Sequence, residues 1–323
     1  MKQSVRIMGI VNLTGDSFYP PSRMLGTDGL LDRPRFLARC RQMAAEGASY
    51  LDLGACSTRP GSEPVSEAEE WNRIAPALAA LSSEAPELLP LLSVDTFRGG
   101  IVRRVFDAVG PFLVNDISLG QLDEDMLPAV SERGLPYVAM HMRGTPSTMD
   151  SLCDYGGDVV GAVHAYFEDF AERALAMGIR DWILDPGLGF AKTSEQCLEL
   201  LEKLPAFSDF GRPILIGLSR KRLVRAVAEG QLEVSGAEAG MDSGTDAGAV
   251  AGANAGMDSG TDAGAAAGAN AGMDSGTDAG AVAGANAGMD SMAIAMARLH
   301  RLAVAGGASI LRVHDVAAAR TCL

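Results

Sequence analysis

No stretch of the chain approaches the roughly 18 consecutive apolar residues of a membrane-spanning helix, which excludes that class of protein. Positive charge is also in short supply. Lysine and arginine total 27 against 41 aspartates and glutamates, and the net charge of −14 argues against general nucleic-acid binding. The five cysteines, at positions 40, 56, 153, 197 and 322, are odd in number, scattered and without metal or redox spacing. That usage suits a reducing, cytoplasmic setting and excludes a disulfide scaffold. The opening Met-Lys-Gln-Ser-Val-Arg runs into an apolar strand without a secretory apolar region.

What the chain does have is core material, with 47% hydrophobic residues over 323 positions, arranged in a repeating pattern. Eight times a short apolar run ends in a cluster of polar residues and glycine. The candidate strands are Val5–Asn12, Tyr50–Gly54, Leu91–Asp95, Phe112–Asp116, Tyr137–Met142, Trp182–Asp185, Ile214–Leu218 and Ile310–Val313. Helical periodicity fills the gaps, most clearly over Glu67–Leu81 and Gly161–Met177. Continuous apolar strands are buried on both faces, as in parallel sheets covered by helices. Eight such units predict an α/β fold, a (β/α)8 TIM barrel, whose active site lies at the C-terminal ends of its strands. The last wall helix, from Val316, has room for about two turns, which is short.

One segment breaks the pattern. From Gly240 a sixteen-residue unit, Gly-Met-Asp-Ser-Gly-Thr-Asp-Ala-Gly-Ala-Val-Ala-Gly-Ala-Asn-Ala, repeats three times, the middle copy carrying Ala266 in place of valine, and a fourth copy starts at Gly288. It has no aromatic residue and little apolar surface to offset ordering entropy. The expectation is a low-complexity Gly/Ala/Asp tandem-repeat insertion over 233–291, flexible and solvated, between barrel segments 1–232 and 292–323. A helix over Met292–Ala305 should follow it. Asp242 and Asp246 recur with the period, but the spacing matches neither an EF-hand nor a calcium β-roll.

The strand-end clusters carry the chemistry. Asp95, Asn115 and Asp185 each end a strand. Singly, such residues are usually caps; converging on one barrel mouth, they suit a planar heterocycle with a 2-amino-4-oxo edge. Lys221 adds a donor for the oxo group or a ring nitrogen. A cationic set, Arg59, Arg312 and His314, matches phosphate oxygens. Arg312 and His314 are two apart, so an extended strand would point both the same way. Asn12 could ligate a magnesium ion on such phosphates.

Taken in order, Ser57-Thr-Arg-Pro-Gly61, Gly217-Leu-Ser-Arg-Lys221 and Arg312-Val-His-Asp315 resemble the dihydropteroate synthase family of folate biosynthesis. The resemblance covers the chain apart from the insertion. It implies a transferase that joins 6-hydroxymethyl-7,8-dihydropterin pyrophosphate to p-aminobenzoate, the step that sulfonamides target. It also implies Mg2+ as cofactor, held by Asn12, and a homodimer. By resemblance the pterin site falls on Asp95, Asn115, Met142, Asp185 and Lys221. The pyrophosphate site falls on Asn12, Thr58, Arg59, Arg312 and His314, and the p-aminobenzoate site on Phe18, Thr58, Pro60, Phe190, Ser219 and Arg222. Arg59, Lys221, Arg312 and His314 would be the catalytic groups. Departures from the family pattern are Gly15 in the first loop, Cys56 before Ser57, and Arg222 where a serine is usual. The alternatives are a catalytically silent pterin-binding homologue or a pterin-dependent methyltransferase; the latter has no use for the cationic set.

Overall fold

In a computed structural model, the described residues are 4–14, 24–26, 29–56, 65–219, 221–234 and 279–323, the side chains of 279–290 excepted. The elements alternate along the chain. They are β1 (Arg6–Asn12), α1 (Arg33–Ala45), β2 (Tyr50–Gly54), α2 (Glu67–Glu84), β3 (Leu92–Asp95), α3 (Gly99–Val109), β4 (Leu113–Asp116) and α4 (Met126–Arg133). There follow β5 (Tyr137–Met140), α5 (Val159–Met177), β6 (Trp182–Asp185), α6 (Ser194–Glu202), β7 (Leu215–Gly217), α7 (Arg222–Ala228), α8 (Ala279–Ala305), β8 (Ile310–Val313) and α9 (Val316–Arg320).

All neighbouring strands pair in parallel, in the order β6-β5-β4-β3-β2-β1-β8-β7. A parallel bridge between Leu184 and Ile214 joins the two ends, closing the sheet into the expected barrel. Local signals set the helix limits. Ser66 caps α2 by accepting from the Glu69 amide at 3.2 Å, and Thr193 and Gln196 form a reciprocal capping box on α6. Gly178 ends α5 in the left-handed conformation at φ 74°.

Strand parity then sorts the side chains. Ile7, Leu53, Val94, Val114, Ala139, Leu184, Ile216 and Leu311 face outward and pack under the helices in one continuous core. Met8, Leu113, Val138, Ile183, Leu215 and Ile310 face inward and plug the barrel floor, with Tyr50 beside them. Two residues further along those strands come Asp52, Asn115, Met140, Asp185, Gly217 and Arg312. The polar rim is thus the next layer of the same alternation, above a floor of buried apolar side chains.

Beyond strand ends that move by one residue, three features differ from the sequence expectation. The strand foreseen over Tyr137–Met142 stops at Met140, because the chain turns there to carry His141 and Met142 over the rim. The barrel core extends past the expected insertion boundary, since Val234 is 5% exposed and packs in the main cluster. Helix α8 begins at Ala279 rather than Met292, so its first turns use the alanine-rich repeat. A helix already anchored by packing at one end adds residues without a new nucleation cost. The rest of the expected insertion, 235–278, lies outside the described residues. Helix α9 is five residues long. Beside it a groove of about 740 Å³ runs between α1, α8 and α9, up to Ser219 and His314.

Buried His300 on α8 generates a pH signature. It is 3% exposed, and burial pulls its imidazole down to about 4 from 6.5. The unfolded chain therefore binds the extra proton first. Stability contributed by the neutral ring is complete above pH 6.5 and falls as pH drops towards 4, by about 3 kcal/mol across that window. Replacing it, His300→Leu, should flatten this part of the urea-denaturation profile between pH 4 and 6.5; an unchanged difference between the two pH values would count against it.

Candidate active site

The rim is organised around one cation. Arg312 Nε donates to Asp52 Oδ2 at 2.7 Å, and its NH2 group lies 2.6 Å from both Asp52 and Asp95. Asp52 is fully buried and also accepts from Ser93 Oγ at 2.6 Å and Asn115 Nδ2 at 3.0 Å. Strands 1, 2, 3 and 4 present this level in register, Asn12 beside Gly54, Gly54 beside Asp95, and Asp95 beside Asn115. One guanidinium between two carboxylates leaves one negative charge in surplus when both are ionised. Burial pushes the Asp95 carboxyl up, Arg312 opposing and Asp52 adding to the rise.

Across the mouth, Asp185 holds the Gly187 amide at 2.8 Å, and Lys221 Nζ donates to the Leu188 carbonyl. The loop between them needs its glycines. Gly187 has φ 68°, and a Cβ there would lie 1.9 Å from the His141 carbonyl oxygen. Gly189 has φ 78°, and a Cβ would come within 3.1 Å of Lys221 Cδ. Burial raises the Asp185 carboxyl, with Lys221 pulling it back; burial lowers the Lys221 ammonium, with Asp185 restoring it. The two halves adjoin at Gly217. A Cβ placed on Gly217 would touch both Arg312 Cβ and Lys221 Nζ at 3.8 Å.

An apolar wall completes the mouth. Ile117, Met140, Met142, Met149 and Ala191 form a buried cluster against which Phe97, Leu122 and Phe190 pack. The Phe190 ring lies 5.0 Å from Lys221 Nζ. Together these groups offer three carboxylates against two cations beside a flat apolar wall. Such a pocket takes a planar ligand rich in N–H donors on one edge.

Several expected residues are thereby brought together: Asp95, Asn115, Met142, Asp185, Phe190, Lys221 and Arg312. His314 lies beyond the end of β8, so the alternation that would aim it alongside Arg312 stops one residue short. Its backbone N–H donates to Ser219 Oγ at 3.3 Å and its carbonyl accepts from Arg39 at 2.7 Å, which ties the last two rim loops together. Arg222 pairs with Asp150 at 2.6 Å, both side chains largely exposed, and such a pair is cheap to exchange for another anion. Phe18, Thr58, Arg59 and Pro60, like Gly15, lie outside the described residues. Asp52 was missed. The available signal was an aspartate in the middle of an apolar strand, two residues from Tyr50 on the floor-facing side. Neighbouring Asp116, which points the other way, is structural: it accepts from Tyr137 Oη at 2.6 Å and from Ser118 and Gly120 of its own loop.

Asp52→Asn should destabilise the fold by roughly 3 kcal/mol, the low end for breaking a buried ion pair, because Arg312 keeps Asp95. An unchanged urea midpoint would remove Asp52 from the centre of this network.

Comparison with known proteins agrees with this geometry. Residues 8–261 match the pterin binding enzyme family. The dihydropteroate synthase of Synechocystis sp. is 37% identical over 227 residues, which covers 69% of this chain and 74% of that protein. Among solved structures, Yersinia pestis dihydropteroate synthase in complex with a sulfonamide drug superposes with a TM-score of 0.70 at 28% identity, over 99% of this chain and 91% of that one. The Thermus thermophilus enzyme in complex with 4-aminobenzoate gives 0.66 at 32% identity, over 98% and 91%. A closed eight-stranded barrel, a donor-seeking rim and these matches converge, and the chain belongs to the family of pterin binding enzymes.

Proposed function

We infer that the chain catalyses the dihydropteroate synthase reaction, condensing 6-hydroxymethyl-7,8-dihydropterin pyrophosphate with p-aminobenzoate to give 7,8-dihydropteroate and pyrophosphate. The observation that carries this is the Asp52–Arg312–Asp95 network set beside Asp185 and Lys221 at one barrel mouth. Its surplus negative charge matches the amino and ring N–H donors of a pterin, which Asp185, Asp95 and Asn115 are assigned to orient. Lys221 is placed to donate to the oxo group, while Met142 and Phe190 cover the ring face.

No strong base is required. The arylamine already carries a nucleophilic lone pair, and the C–O bond to the diphosphate is the one that must break. Its electron pair leaves with pyrophosphate, the new C–N bond forms at the same methylene carbon, and the proton the arylamine nitrogen then sheds passes to the released pyrophosphate or to solvent. Arg59 and His314 are assigned to the departing charge, with Arg312 at the boundary between ring and diphosphate. Phe18, Thr58, Pro60, Phe190, Ser219 and Arg222 are assigned to p-aminobenzoate, and sulfonamides would compete there. Closure of this second site would exclude water from the developing cation.

Magnesium belongs to the same proposal. Among the described residues no three His, Cys, Asp or Glu side chains gather as a metal cage. Asn12 at the rim suits an ion that takes most of its oxygens from diphosphate and water, and such an ion supplies positive charge to the leaving group. A cytoplasmic homodimer is proposed as the working form, with free cysteines supporting the compartment.

A coupled pyrophosphate-release assay should show turnover only when both substrates and Mg2+ are present; release without p-aminobenzoate would contradict condensation. Asp185→Asn should weaken pterin binding by about 1.5–3 kcal/mol, as for a charged hydrogen bond, in a calorimetric titration. Equal affinity in the variant would take Asp185 out of the ring-binding set.

A further inference from the structure

Lys192 is 1% exposed and has no place in the chemistry above. Its Nζ has three acceptors: His141 Nδ1 at 2.7 Å, the Phe190 carbonyl at 3.0 Å and the Gly187 carbonyl at 3.2 Å. An ammonium has three N–H donors, so the charged form is satisfied in full. His141 must then be neutral, accepting through Nδ1, in agreement with burial and Lys192 holding its ring well below the usual range, at about 2. The His141 ring also packs edge-on against Tyr166, with centroids 4.6 Å apart.

Both carbonyls belong to the loop that leaves β6 after Asp185 and enters α6. The same loop presents Leu188 to Lys221 and places the Phe190 ring on the apolar wall. It is held from other sides as well. Tyr155 Oη donates to the Ala191 carbonyl at 2.9 Å, and the Gly189 amide donates to Cys197 Sγ at 3.1 Å. Ala191 carries a left-handed φ of 49°, a conformation a non-glycine residue keeps only where its surroundings enforce it. The backbone N–H of His141 donates to the Asp185 carbonyl at 2.9 Å, which ties the end of β5 to the end of β6.

We propose that Lys192 is a positioning residue for pterin binding, a buried ammonium that clamps the loop from Gly187 to Phe190 onto His141 and so holds Asp185, Lys221 and Phe190 in their binding arrangement. The proposal rests on the functional reading above. Losing one proton would leave two donors for three acceptors and slacken the loop. Burial pulls this ammonium down to about 7, with Cys197 and Asp185 favouring the charge and Lys221 and Arg143 opposing it. Neutral His141 is the remaining titratable group against it. The sign follows: the clamp is held by the charged form and is lost progressively as pH rises through about 7, so pterin affinity should fall on the alkaline side. Ionisation of Asp95, raised by its burial, would act in the opposite sense.

The test is titration of 6-hydroxymethylpterin into the full-length protein between pH 6 and 9, with melting temperatures recorded alongside. Lys192→Met should bind roughly ten- to a hundredfold more weakly at pH 6.5, the loss of a charged hydrogen bond, and should lack the alkaline fall. Lys192→Arg, which keeps its charge across this range, should recover much of the affinity and also lack the fall. Should neither fold, His141→Phe decides the matter. With one acceptor gone, the midpoint of the alkaline fall should move to lower pH. An unmoved midpoint there, or a Lys192→Met profile that parallels the native one, overturns the proposal while leaving the functional reading intact. Failure of the native protein to bind the pterin at all would instead strike the functional reading.

Discussion

A guanidinium shared by one buried and one half-buried carboxylate governs the upper half of this barrel. Arg312 reaches inward from the last strand to Asp52 on the second and Asp95 on the third, while Asn115 on the fourth leans on the same Asp52. An unpaired charge at that depth would cost several kcal/mol, so Arg312 stabilises both ionised carboxylates while each carboxylate opposes the other's ionisation. Complete neutralisation would leave a closed, self-sufficient core. The imbalance of one negative charge leaves the cavity seeking donors, and a ligand with several N–H groups on one edge answers it.

The floor makes this arrangement affordable. Six inward apolar side chains, from Met8 to Ile310, fill the barrel below the rim, with the Tyr50 hydroxyl and the Arg6 guanidinium that donates to it beside them. The low dielectric beneath strengthens each charged contact above and raises the penalty for losing one. On the far side, the loop after Asp185 carries a second buried cation, Lys192, bonded to backbone and to a neutral histidine. The two cations have different partners because their tasks differ. Arg312 neutralises side chains that face a ligand; Lys192 secures a backbone that presents them.

Much of the molecule was legible before folding. Eight apolar runs with polar ends implied the barrel and its working face, and Asp95, Asn115, Asp185 and Lys221 were each visible as polar groups stranded at such ends. Asp52 was less visible because it interrupts a strand rather than ending it. Lys192 was invisible, since a lysine just before a helix cap reads as solvated until the surrounding rings and carbonyls are in place. Asn115 and Asp116 show the same limit in miniature. They are adjacent and both buried, yet one faces the cavity and the other holds Tyr137 and its own loop.

Sequence alone determined the alternation, the number of strands and which end of each carries chemistry, because the period of a strand and the apolar demand of a two-sided sheet are local properties. Tertiary structure decided the partnerships. Arg312 and Asp52 are 260 residues apart, and nothing in either neighbourhood specifies the other. Their contact exists because β8 closes against β1 in a register that sets Met8 beside Arg312, while β1 sets Met8 beside Tyr50. Closure and stagger are properties of the whole ring of strands, and only the folded chain contains them.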